Sequence, residues 1–130
     1  MDAADEAMLR KFQKELNAGT VSLVLLAILD HSGEPLYGYQ IAKSIEGAWG
    51  EGVPVKQGTL YPVLRSMEEH GLLSSRVEPS VSGPPRKYYS ITDRGRAVLG
   101  DWKGAWARTR GFVDATLEGN GGKHGRGIPR

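Results

Sequence analysis

The side chains of this sequence that could carry chemistry are few, and most are isolated. His31, His70 and His124 stand apart, without a second ligand at metal-binding spacing, and each reads as a surface histidine. Cysteine is absent, which excludes a disulfide framework and any thiolate metal site. Glu68-Glu69-His70 has the residue types for acid–base work, but a solvated helix end explains it more simply. Gly119 to Lys123 has the look of a phosphate loop, yet no Ser or Thr follows Lys123 and no helix can start there. No serine sits in a nucleophile-elbow context. Catalysis, a cofactor and a metal are therefore not expected. What remains is a set of donors and cations suited to a polyanion: Tyr39, Lys56, Gln57, Thr59, Tyr61, Arg65, Arg86 and Lys87, with Pro62 among them for apolar contact.

The elements that must position these residues follow from periodicity. Met8, Leu9, Phe12 and Leu16 give Asp5 to Leu16 a helical stripe. Asn17 to Thr20 predicts a break, with Thr20 capping a second, almost wholly apolar helix over Val21 to Leu29. Asp30 to Pro35 is a turn. Gly38 to Glu46 is a short helix with Ile41, Ala42 and Ile45 inward, and a Gly-rich connection follows from Gly47 to Lys56. Pro62 lacks an N–H and suits a first helical turn, so Thr59 is expected to cap the next helix and Gly71 to end it. Leu60, Val63, Leu64 and Met67 then share one face, and Tyr61, Pro62, Arg65, Ser66 and Glu69 the other. Leu72 to Glu78 and Arg86 to Ile91 predict a β-hairpin around a Ser/Gly/Pro-rich loop. Thr92 caps a long last helix from Asp93 to about Glu118. Gly119 to Arg130, with its glycines and cations and no acidic residue, is expected to be disordered.

The chain has 130 residues, enough for one domain, with 39% hydrophobic and 25% charged residues. The fold class is mostly α with a small β-hairpin, a winged helix-turn-helix over residues 1–92 followed by a long C-terminal dimerisation helix over 93–118. The polar Met1 to Glu6 is unlike a secretory signal, and the apolar run Val21 to Leu29 is far short of the roughly 20 residues of a membrane span, so a cytoplasmic location is the default. Lys and Arg number 17 against 15 acidic residues, so placement matters more than the net charge of +2.

In a helix-turn-helix the second helix enters the major groove by its N-terminal residues. That assigns Thr59, Tyr61 and Arg65 to base edges, with Pro62 beside them. Tyr39, Lys56, Gln57, Arg86 and Lys87 are then placed for phosphate or the minor groove. The same topology also serves protein–protein contacts, and packing against the wing is the alternative for Tyr61. On the last helix Leu99, Trp102, Trp106, Thr109, Val113 and Thr116 alternate three- and four-residue steps, the period of a coiled-coil seam. Trp102 and Trp106 carry more apolar area than so small a domain readily covers, which points to a homodimer interface. Facing indoles there favour a planar aromatic effector by offset stacking.

Three motifs carry a family likeness. Pro35-Leu36-Tyr37-Gly38-Tyr39-Gln40-Ile41, Gly58-Thr59-Leu60-Tyr61-Pro62-Val63-Leu64, and Gly83-Pro84-Pro85-Arg86-Lys87-Tyr88-Tyr89 with Ile91-Thr92 closely resemble the PadR family of bacterial transcriptional regulators. The likeness runs from about residue 8 to residue 118. It implies a winged-helix dimer, joined through its first and last helices, that binds double-stranded DNA at a pseudo-palindromic operator and represses or activates a nearby promoter. It also implies an aromatic effector at the dimer interface, where Trp106 falls. A winged-helix adaptor for protein partners and a small-molecule carrier on the same dimer are the competing readings.

Overall fold

The computed structural model describes residues 2–49 and 57–119. The order is α1 (Ala3–Ser32), β1 (Leu36–Tyr37), α2 (Gly38–Trp49), α3 (Gln57–Glu69), β2 (Leu73–Glu78), β3 (Arg86–Ile91) and α4 (Asp93–Leu117). Lys56 and the expected tail from residue 120 onward lie outside the described residues, and nothing is said of the Gln57 side chain.

The expected break at Asn17 to Thr20 is not there, and α1 runs unbroken through it. The polar side chains that suggested a break are satisfied along the helix instead. Gln13 Nε2 donates to Asn17 Oδ1 at 2.7 Å, and Thr20 Oγ1 donates to the Leu16 carbonyl at 3.0 Å. A lone glycine disfavours a helix by only about 1 kcal/mol relative to alanine, too little for Gly19 to end this one. Asp2 caps α1, its carboxylate accepting from the Asp5 amide at 2.9 Å, and Gly33 closes it with φ +70°. By length and hydropathy α1 could span a membrane, but its apolar half gives Leu25, Leu26 and Leu29 to the protein core.

The start of α3 also differs from expectation. The helix begins at Gln57, so Thr59 lies within it and Pro62 stands in the second turn. There Pro62 has no N–H to donate to the Gly58 carbonyl one turn back. The other end is as expected: the Leu72 amide donates to Met67 O at 2.9 Å and the Gly71 amide to Glu68 O at 3.0 Å, with Gly71 at φ +77°. These are the paired bonds of a Schellman stop, and the buried Leu72 and Met67 supply its usual apolar contact.

The hairpin forms as expected, with Leu73 opposite Ile91 and Glu78 opposite Arg86. It is joined by a strand the sequence did not announce. β1 pairs antiparallel with β3, Tyr37 opposite Tyr88, to give a three-stranded sheet in the order β1-β3-β2. Two residues are too few for alternation to register in the sequence.

Leu25, Leu26, Ile41, Ile45, Leu60, Leu64 and Leu99 fill the centre of the core. Leu99 was expected on the dimer seam; at 2% exposure it belongs to this core and offers nothing to a partner. The reason is the tight docking of the start of α4. Thr92 Oγ1 accepts from the Gly95 amide at 3.0 Å and donates to Gly71 O at 2.6 Å. A Cβ on Gly95 would lie 2.2 Å from the Leu72 carbonyl oxygen, so only glycine permits this approach. Arg96 adds a bridge to Asp30 of α1 at 3.4 Å.

Candidate nucleic-acid interface

α3 rests on the core through Leu60, Leu64 and Met67 and turns Thr59, Tyr61, Pro62 and Arg65 to the surface. Four of the residues expected to meet DNA thus share one exposed face. Tyr61, 38% exposed, also meets the preceding helix. Its ring lies over the start of α2, where a Cβ on Gly38 would come within 2.5 Å of the phenol oxygen. Gly38 therefore lets α3 approach the α2 N-terminus closely. That N-terminus is itself fixed by the Tyr37 amide donating to Gln40 Oε1 at 3.1 Å, half of a capping box. Tyr39 follows, 51% exposed.

The two cations of the wing part company. Side chains alternate across a strand, so Arg86 and Lys87 of β3 point to opposite faces. Lys87 turns toward α3 and pairs with Glu68 at 3.0 Å. Ser75 of β2 donates to the other oxygen of the same carboxylate. The Ser75 hydrogen bond, reinforced by Lys87, holds the Glu68 carboxyl below its ordinary pKa, and the bond to Glu68 raises that of Lys87. Glu68 was expected to stand clear at the far end of the helix; instead it ties α3 to both strands of the wing. Arg86 takes the other face, its guanidinium 4.5 Å from the centroid of the Tyr37 ring. Tyr37 in turn meets Tyr88 edge-on at 5.4 Å and stacks with Tyr39 at 6.5 Å, and Lys43 lies 5.6 Å over Tyr39. Tyr89, on the Lys87 face, is buried as strand packing requires.

Tyr37 and the Glu68–Ser75–Lys87 group escaped sequence reasoning. Strand alternation through Arg86 to Ile91 was the available signal for separating the two cations. Nothing local marked Ser75 or β1 as their partners.

The seam residues of α4 divide similarly. Trp102 is half-buried against the core, whereas Trp106 is 41% and Val113 43% exposed, and Thr109 is exposed too. Between α1 and α4 runs an open groove of about 530 Å³ lined by Leu16, Leu23, Trp102, Trp106 and Thr109.

The helix pair α2–α3, packed with α1 around one core and flanked by an antiparallel wing tied to α3, defines a winged helix-turn-helix protein. Residues 25–101 match the transcriptional regulator PadR-like family, and the chain belongs to that family. It is similar to the crystal structure of a PadR family transcriptional regulator from Eggerthella lenta, with 34% identity and a TM-score of 0.76 over 90% of this chain and 98% of that one. A PadR-like transcriptional regulator from Bacillus cereus matches with 30% identity and a TM-score of 0.65 over 79% of this chain and 96% of that one. A transcriptional regulator of Mycobacterium tuberculosis is 34% identical in a 97-residue alignment that covers 70% of this chain and 76% of that protein. The protein is thus a transcriptional regulator of the PadR family.

Proposed function

We propose that the protein is a homodimeric, sequence-specific repressor whose two α3 helices read the half-sites of a pseudo-palindromic operator. The observation that carries this reading is the exposed face of α3. Thr59, Tyr61, Pro62 and Arg65 stand together on it, supported from behind by the core and from the side by the wing. Thr59, Tyr61 and Arg65 are assigned to base edges and Pro62 to apolar contact. Tyr39, Arg86 and Gln57, the first residue of α3, are assigned to phosphate or the minor groove, as is Lys56 from the sequence. Lys87 already has a carboxylate partner, and its part is to hold the wing on α3 as much as to meet phosphate.

Dimerisation is assigned to α1 and α4. Met8, Leu9, Phe12 and Leu16 on one and Trp106, Phe112, Val113 and Leu117 on the other are exposed apolar side chains beyond the core. An apolar surface of this kind marks an interface. A planar aromatic effector is proposed against Trp106 and its symmetry mate, next to the α1–α4 groove. To act as a switch it must bind the DNA-incompetent form more tightly. Tryptophan fluorescence titrated with planar aromatic compounds, with Trp106→Leu as the control, tests that part.

The decisive experiment for DNA binding is genomic footprinting with the purified protein. Protected sites are expected to be pseudo-palindromes with half-sites about one helical turn, roughly 34–36 Å, apart. Arg65→Ala should relax preference at one or two base pairs. No protection at any site, even at low salt, would overturn the reading in favour of a winged helix that binds protein.

A further inference from the structure

Arg86 and Lys87 are neighbours in sequence with opposite surroundings. Lys87 is met by Glu68, and Lys43 by Glu46 at 3.5 Å. Among the described residues Arg86 has no carboxylate within ion-pair distance; its close neighbour is the face of Tyr37. That ring is itself held on two sides, edge-on by Tyr88 and in a stack by Tyr39. Its backbone is paired to β3 and its amide is bonded to Gln40. The next residue, Gly38, carries the Tyr61 ring of α3. A continuous strip therefore runs from the wing cation through Tyr37 and Gly38 to the exposed face of α3.

We infer that Tyr37 is a positioning residue for DNA binding: its ring holds the Arg86 guanidinium over its face at the loop end of β3, set to grip a backbone phosphate. A guanidinium stacked on a ring keeps its N–H groups in plane, and none is used by the ring. The outward edge stays free for a bidentate bond to phosphate. Without the platform Arg86 would sample many rotamers, and ordering it on DNA would weaken binding. The inference rests on the DNA-binding reading and adds a residue whose role is exerted through another.

The test uses the full-length protein and a mixed-sequence 30-base-pair duplex, titrated at several KCl concentrations. Arg86→Ala is expected to weaken binding and to reduce the salt slope by about one unit per subunit, the signature of one lost phosphate contact in each half of the dimer. Tyr37→Leu is expected to weaken binding about two- to fivefold per subunit, the worth of one exposed cation–π contact in each. Tyr37→Phe retains the ring and should bind as wild type, which separates platform from phenol. The double variant Arg86→Ala/Tyr37→Leu should be no weaker than Arg86→Ala alone. Multiplicative losses, or a weakened Tyr37→Phe, would overturn the inference. Should Tyr37→Leu fail to fold, Arg86→Lys carries the test without touching the aromatic cluster. A loss of about two- to fivefold per subunit at unchanged salt slope supports the guanidinium fork, and wild-type affinity refutes it. Wild-type protein that ignores the duplex at low salt would sink the DNA-binding reading itself. Wild-type binding that is indifferent to Arg86→Ala would sink this inference alone.

Discussion

The winged core and the helical arms that leave it treat their apolar side chains in opposite ways. In the core Leu25, Leu26, Ile41, Ile45, Leu60 and Leu64 are 0–1% exposed, and no buried side-chain polar atom among the described residues lacks a partner. On the first half of α1 and the second half of α4, Met8 is 71% exposed, Phe12 58%, Phe112 55% and Leu117 79%. Both regions follow amphipathic patterns, yet only one is closed within a single chain. The core is a fold in its own right, held by side chains from every element. In the proposed dimer the arms are halves of a surface completed by a second copy, because scattered exposed apolar residues are ordinary but such a concentration on two helices is not.

The largest effect should come from opening the core. Leu64→Ala leaves a cavity under α3 and is expected to lower stability by about 2–5 kcal/mol in chemical unfolding. A much smaller loss would mean that the core relies on the arms for its stability. Phe112→Asp, by contrast, should leave far-UV circular dichroism unchanged and weaken self-association by about 30-fold or more, as loss of a hot-spot residue does. Analytical ultracentrifugation reads this, and an undiminished dimer would place the interface elsewhere. Between the two regions, at the joint where α4 leaves the core, Gly95→Ala should cost about 1–3 kcal/mol by overpacking against the Leu72 carbonyl. Thermal unfolding measures it, and a neutral result would show that the joint can shift.

The smallest effect belongs to the tie between α3 and the wing. Glu68→Gln should destabilise by about 0.2–1 kcal/mol, since both partners of the pair are partly exposed. The lowered Glu68 pKa means that its contribution is present at neutral pH and is lost as pH falls through that lowered value. The raised Lys87 pKa means that its contribution is whole below the ordinary lysine range and is lost as pH rises through the elevated value. The difference between variant and wild type should therefore be flat around neutrality and shrink at both extremes. A difference that changes between pH 6 and 8 would point to another group.

Much of this molecule is legible in short stretches of its sequence. The buried stripe Ile41, Ala42 and Ile45, the Gly71 stop, the Thr92 cap and the paired strands all depend on neighbours a few residues away, so local patterns report them. The errors fall where local preference is weak. Asn17-Ala18-Gly19-Thr20 looks like a break because its side chains can satisfy a cap, but here they bond within α1. Thr59 looks like a cap for the same reason, although α3 begins earlier.

By itself, the sequence determined the order of α2, α3, the hairpin and α4, the hydrophobic face of α3 and the motifs of the PadR family, because periodicity and turn chemistry are properties of nearby residues. Tertiary structure alone decided the fate of side chains that depend on distant partners. It sent Leu99 into the core and left Trp106 exposed two turns later, because the close approach at Gly95 docks only the first part of α4. It also set Arg86 on Tyr37 and Lys87 on Glu68, because a strand gives successive residues opposite faces and only the assembled sheet and α3 determine what each face meets.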